Sequence, residues 1–349
     1  MTTAVAVDRR RPPGAPAGRR RRLLVGLVVC LVVLLVVCVV SLMVGSHALA
    51  PGAVLDALRH RGDDEASLIV WDKRLPRTAV GVLAGLALGL AGTVMQGLTR
   101  NPLADPGLLG INAGAAVAVV VAISAFGVTS VAGYVPFAFV GAALAATVVY
   151  GVASAGREGA TPTKLALSGA AVTAALTSVV TAVLLTSTPA VSQLRFWQVG
   201  ALAGRGSEVV AQAVGPIVVG AALALSLGRA LDGLALGDDV ARALGQRVGR
   251  VRVVAGVAVV LLCGTATAAA GPIAFVGLVV PHAARRFVGH DYRWLLAYSA
   301  VLAPAFLVAC DVVGRVVAYP GELEVGIVTA VVGAPVFIAI VRRGRAVTL

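Results

Sequence analysis

Charge is scarce in this sequence. Asp, Glu, Lys and Arg make up 13% of its 349 residues, about half the share of a soluble globular domain. Lysine is scarcer still, with Lys73 and Lys164 the only two. Neither follows a glycine-rich turn, and no Gly-x-x-x-x-Gly-Lys-[Ser/Thr] loop occurs, so the chain is not its own ATPase by that route. His-Glu-x-x-His and Gly-x-Ser-x-Gly are also missing, which removes the zinc-hydrolase and serine-hydrolase readings of an intramembrane enzyme. No catalytic residue is expected. The four cysteines, Cys30, Cys38, Cys263 and Cys310, all fall inside apolar runs. They read as small packing residues, not as disulfides or metal ligands, and no metal site is expected.

What is abundant is apolar. Hydrophobic residues make up 59% of the chain and its mean hydropathy is +0.95. A hydrocarbon core about 30 Å thick needs about 20 apolar residues per helical span, and such runs recur from Leu23 to Val341. The bilayer is therefore the expected solvent. The net charge of +13 comes from arginines set between apolar runs or in the tails, a pattern of topology control and not of nucleic-acid binding. Residues 1–22, with Arg9, Arg10, Arg11 and Arg19 to Arg22 among Pro and Gly, read as a disordered basic cytoplasmic tail. Residues 23–349 read as one polytopic transmembrane permease domain. The run 23–44 exceeds the core of about 7 to 15 residues of a signal peptide, so despite the cleavage-like Ala48-Leu49-Ala50 it is read as an uncleaved first span.

Arg, Pro and Gly punctuation divides the chain into ten expected helices: 23–44, 77–98, 107–126, 131–153, 164–187, 209–228, 250–269, 273–287, 294–315 and 325–342. The fold class is thus an all-α integral membrane protein with about ten transmembrane helices. With the N-terminus inside, 21 of the 29 Lys and Arg residues fall in inside segments, and both termini are predicted to be cytoplasmic. The expected location is the cytoplasmic membrane, crossed many times. Gly81, Gly85, Gly89 and Gly92 form a stripe on the second span that suits close helix packing, and Gln96 continues it.

Three segments are too polar or irregular for spanning alone. The first joins Arg74-Leu75-Pro76-Arg77 to the run 96–107, where Asn101-Pro102-Leu103 and Asp105-Pro106 break the helix. Such backbone is tolerated only against protein or a water-filled cavity, so the loop is expected to border a pathway at the cytoplasmic mouth, with a plain turn as the alternative. The second is Gly237-Asp238-Asp239-Val240-Ala241-Arg242-Ala243-Leu244-Gly245. Asp238 and Asp239 suit a helix start and Gly245 a stop. Leu236, Val240, Ala243, Leu244 and Val248 fall on one face, which wants a partner groove or the membrane surface. The third runs through Pro281-His282 and Arg285 to Asp311, Arg315 and Glu322-Leu323-Glu324. His282 suits a capping or interhelical hydrogen bond, and Asp311 suits an ion pair with Arg315 four residues on. Arg74, Arg77 and Arg315 stand at expected outer helix ends, where the charge rule predicts depletion, so another role is expected of them.

In order along residues 70–343, these motifs closely resemble the FecCD-like permeases, together with Phe275-Val276-Gly277-Leu278, Gly326-Ile327-Val328-Thr329-Ala330 and Gly333-Ala334-Pro335. That family imports iron-siderophores, haem and cobalamin. The resemblance implies the fold of a type II ABC importer permease, with ten helices per subunit. It implies a second permease subunit, either a copy or a paralogue, cytoplasmic ATPase subunits that bind the ATP and Mg, and an extracytoplasmic substrate-binding protein. No cofactor is expected on the chain itself. Carried over, Gly237 to Gly245 resembles the ATPase-coupling helix, Asn101, Pro102 and Leu103 part of the cytoplasmic gate, and Arg74, Arg77 and Arg315 a docking set for the binding protein. Glu324 departs from the family's usual Glu-Leu-Pro. The competing class is an ion-coupled secondary transporter, which buries ionisable residues at mid-membrane; within the expected spans Asp311 is the sole acidic candidate.

Overall fold

A computed structural model describes residues 17–45, 49–155, 161–186 and 188–344. Among these, every regular element is helical. This is the economical solution for a chain rich in Val, Leu, Ala and Gly, because a helix satisfies its own backbone groups where no water can. The long elements are α1 (Ala17–Met43), α3 (Glu65–Thr99), α5 (Val131–Ser154), α6 (Pro162–Thr186), α8 (Ser207–Ser226), α11 (Val248–Ala270) and α13 (Tyr292–Val317). These seven are long and apolar enough to cross a membrane. α4 (Ile111–Phe126) and α14 (Val325–Gly344) are apolar but fall short of that measure, and α12 (Val276–Val288) is a short helix with Arg285 and Arg286 in its last turn. Each of the ten expected runs therefore coincides with a helix, although length and composition alone assign seven of them as spans.

α10 (Asp238–Ala243) lies within the amphipathic helix expected over 237–245, and three further short helices were not expected: α2 (Pro51–Arg59), α7 (Thr188–Gln198) and α9 (Gly228–Ala235). They are too short and too polar to register as apolar runs. At the N-terminus, α1 starts at Ala17, so Arg19 to Arg22 are its first turns and not part of a tail. Arginine is a good helix former, and Arg19 donates to the Val288 carbonyl at 3.0 Å. Residues 1–16 of the expected tail lie outside the described residues. So do residues 46–48, which include Ala48 of the cleavage-like triplet.

α3 is the central post. Its glycine stripe lies against α13 and α12: a Cβ on Gly85 would stand 2.5 Å from the Pro304 Cα, and one on Gly92 would collide with the Gly277 carbonyl. Gly92 and Gly277 thus let two backbones approach as side chains would forbid. Gln96 extends the same contact by donating to the Gly277 carbonyl at 3.3 Å. Two non-helical segments, residues 199–206 and 271–275, bury against each other and against the start of α14. Ala201 donates to Ala270 at 2.8 Å and Gly326 to Gly200 at 3.0 Å, so the irregular backbone is satisfied by protein, as it must be away from water. α3 and α11 each contain a π turn, Ile69–Arg74 and Val260–Gly264. The first ends on Arg74, just before Arg77.

Candidate functional site

The first polar centre lies where the π turn of α3 gives way to its long α-helical stretch. Arg77 grips the Asp311 carboxylate with Nε at 3.0 Å and Nη2 at 2.8 Å, and its remaining nitrogen donates to Glu322 at 2.6 Å. Arg315 shares the Oδ2 oxygen of the same carboxylate through Nε at 3.0 Å. It also donates to the Ser41 and Val44 carbonyls at 2.8 and 2.9 Å, which fastens the end of α1 to α13. Ser41 Oγ shares a 2.8 Å hydrogen bond with Thr78 Oγ1. Arg74 donates to the Leu42 carbonyl at 2.6 Å. Asp311 is buried to 1% exposure and Arg315 to 3%. Such burial is tolerable because both charges are paired: Arg77 takes the two carboxylate oxygens in the two-toothed geometry, and Arg315 directs Nε and Nη2 at Oδ2 alone.

Around this cluster opens a cavity of about 460 Å³ lined by Lys73, Arg74, Arg77, Arg205, Arg315 and Glu322 among others. Arg205 comes from the irregular 199–206 segment and is itself buried, its Nε donating to the Ala201 carbonyl at 3.1 Å. Its position beside Arg77 has no signature in the sequence, since only tertiary structure joins the two segments. Glu324, the departure from the family pattern, stands half-buried next to this cavity. Burial pushes its carboxyl up from the ordinary range, against the pull of the Arg77 and Arg205 charges. The three expected docking arginines thus gather in one place, together with acids of the chain itself.

The second centre lies at the opposite end of α3, about 35 Å away along the helix axis at 1.5 Å per residue. α3 ends at Arg100, which adopts the left-handed conformation with φ +52°. Asn101 then donates to the Gln96 carbonyl at 3.2 Å, and its side-chain oxygen accepts from Leu103 N–H at 2.9 Å. Asn101, Pro102 and Leu103 are exposed. Beside them stands α10, whose entry residue Gly237 has φ +105°, a backbone that side chains resist. Asp238 accepts from Arg252 of α11 at 2.7 Å and lies 3.7 Å from Arg100. Asp239 pairs with Arg242 at 2.8 Å. Ala241 faces inward at 0% exposure, whereas Leu236, Val240 and Leu244 are 64%, 45% and 65% exposed. Val248, expected on the same apolar face, is buried at 4%. The helix stops at Gly245, which has φ +81°, and Val248 opens α11 with a new rotation.

Behind α10, Arg285 donates to the Tyr292 hydroxyl at 3.0 Å and lies over its ring at 5.1 Å, while Tyr292 N–H donates to Asp232 of α9 at 2.8 Å. His282 is half-buried on α12. No group of three or more metal-ligating side chains occurs among the described residues.

Comparison with known proteins places this geometry. The profile of the FecCD transport family matches residues 33–343. The chain is 45% identical over 330 residues to the ferric enterobactin transport system permease protein FepD of Escherichia coli (strain K12), covering 95% of this chain and 98% of that one. It is 39% identical over 319 residues to the probable siderophore transport system permease protein YfiZ of Bacillus subtilis (strain 168), covering 91% and 96%. Among solved structures, a metal-chelate type ABC transporter in an inward-facing conformation superposes with a TM-score of 0.80 at 26% identity, over 93% of this chain and 99% of the other. A profile match over nearly the whole chain, near-complete relatives and a shared fold agree: this multi-pass membrane protein, a transport permease and not an enzyme, belongs to the FecCD transport family.

Proposed function

We propose that the chain is the permease subunit of an ABC importer that moves an iron-siderophore-like chelate into the cytoplasm. The observation that carries this reading is the polarity of α3, with a basic cavity at one end and an exposed apolar helix beside a broken loop at the other. The basic end is the outer one, where a substrate-binding protein docks. Arg77 and the rim of the cavity meet it directly; Arg74 and Arg315, with their burial and internal bonds, shape the rim. The other end is cytoplasmic. There α10 seats in an ATPase subunit that carries ATP and Mg, and Asn101, Pro102 and Leu103 form part of the gate. Ten crossings with both termini inside satisfy the charge distribution. The exposed small residues of α6 support a second permease subunit against that face. Within the same role, cobalamin is the second substrate class to test, because the chain is 41% identical over 280 residues to the cobalamin import system permease protein BtuC of Halobacterium salinarum.

The test is transport in proteoliposomes containing the permease with its ATPase and binding protein. Uptake of a ferric siderophore is expected to require internal ATP and to survive collapse of proton and sodium gradients. Uptake that stops with the gradients and ignores ATP would establish the ion-coupled alternative instead.

A further inference from the structure

α10 and the loop that follows α3 meet through a single carboxylate. Asp238 lies 3.7 Å from Arg100, 2.7 Å from Arg252 and 3.9 Å from Arg242. Arg100 is the residue at which α3 turns into the loop. Its left-handed backbone is one that a residue with a Cβ holds only when its surroundings fix it, and Asp238 is the charged group that reaches it. The turn before Arg100 is gripped from behind as well. Gln96 donates to the Gly277 and Leu278 carbonyls and lies 3.5 Å from Arg285. Arg285 in turn holds Tyr292, which is tied to Asp232 on the helix leading into α10.

We propose that the Arg100–Asp238 pair is the link that converts a displacement of α10 into movement of residues 101–103, with Arg100 acting as a positioning residue of the transport cycle. The inference rests on the docking and gate roles proposed above. The pair suits a moving joint. Its side chains are 41% and 23% exposed, so it adds little to stability and can break and re-form. When Arg100 leaves, Arg252 still satisfies Asp238, so the carboxylate has two arrangements and neither strands a charge. That is the kind of element through which two sites bias one another.

The test uses the permease assembled with its ATPase, its native cysteines removed and Leu103→Cys introduced. Labelling by a membrane-impermeant maleimide from the cytoplasmic side is compared between nucleotide-free and vanadate-trapped states. A change of about fivefold or more is expected in the parent, at the lower end of ordinary coupling between sites. Arg100→Gln, which leaves α10 untouched, is expected to retain the ATPase on purification and to shrink that change to less than about twofold. Arg100→Lys, which keeps the charge, is expected to restore much of it. A full nucleotide-dependent change in Arg100→Gln would overturn the link while leaving the gate reading intact. A parent protein whose labelling is the same in both states would remove the gate reading and the link together.

Discussion

At the scale of single residues, Asp311 stands out because two arginines share it. The pairing with Arg315, four residues on, is legible in the sequence as one turn of helix. The pairing with Arg77 is not, because 234 residues separate the two and no periodicity connects them. Removing the Asp311 carboxylate leaves the buried Arg315 without its counter-ion and Arg77 with Glu322 alone, and the stranded buried charge costs about 3–5 kcal/mol. Glu322, with its side chain 32% exposed, is screened by water and contributes about 1 kcal/mol or less. Asp311→Asn is therefore expected to lower the thermal unfolding midpoint of the detergent-solubilised protein well below that of Glu322→Gln. Equal midpoints would show that water reaches Asp311 and screens it.

At the scale of elements, the amphipathic helix before α11 was legible in outline. Its acidic start and glycine stop follow from capping chemistry, but the extent of its apolar face did not. A helical repeat carried past Gly245 assigns Val248 to that face, and the positive φ at Gly245 breaks the repeat. The short α7 and α9 were invisible for a related reason: their stability comes from burial of Leu194 and Trp197 in one and Leu231 and Leu234 in the other, not from a long periodic pattern. The structure thus separates two substitutions that the sequence treats alike. Leu244→Asp puts a carboxylate on a 65% exposed position, and the permease should accumulate normally. In the docked state the charge would lose its water, at a cost of several kcal/mol for an unpaired ion, so the ATPase should no longer co-purify. Val248→Asp buries the charge within the chain itself, and poor accumulation of the permease is expected. Normal ATPase recovery with Leu244→Asp would refute α10 as the docking helix.

At the scale of the whole molecule, two long helices are scarcely covered by the rest of the chain, and their exposed residues differ in kind. α1 presents Leu24, Val25, Val28, Val32, Leu35 and Val36, large aliphatic groups suited to lipid chains. α6 exposes Leu167, Val179 and Leu185 but presents mainly small residues between them, Ala170, Ala171, Ala174, Ser178 and Thr181. Its hydroxyls are turned back on the helix, Ser178 to the Ala174 carbonyl at 3.0 Å and Thr181 to the Thr177 carbonyl at 3.0 Å. Small residues let another backbone approach and give lipid little to grip. Apolar runs alone do not reveal this difference, because both segments count as hydrophobic; it emerges only once burial is known. The second permease subunit proposed above would account for the exposed face of α6 as lipid accounts for that of α1. Placing a single cysteine at Ser178 in a cysteine-free protein should then allow either cross-linking to the neighbouring permease subunit or modification by a water-soluble thiol reagent in the assembled complex. Val32→Cys on α1 should do neither and should react only with a lipid-soluble reagent. If Ser178→Cys behaves as Val32→Cys does, α6 faces lipid and the second subunit must be sought on another surface.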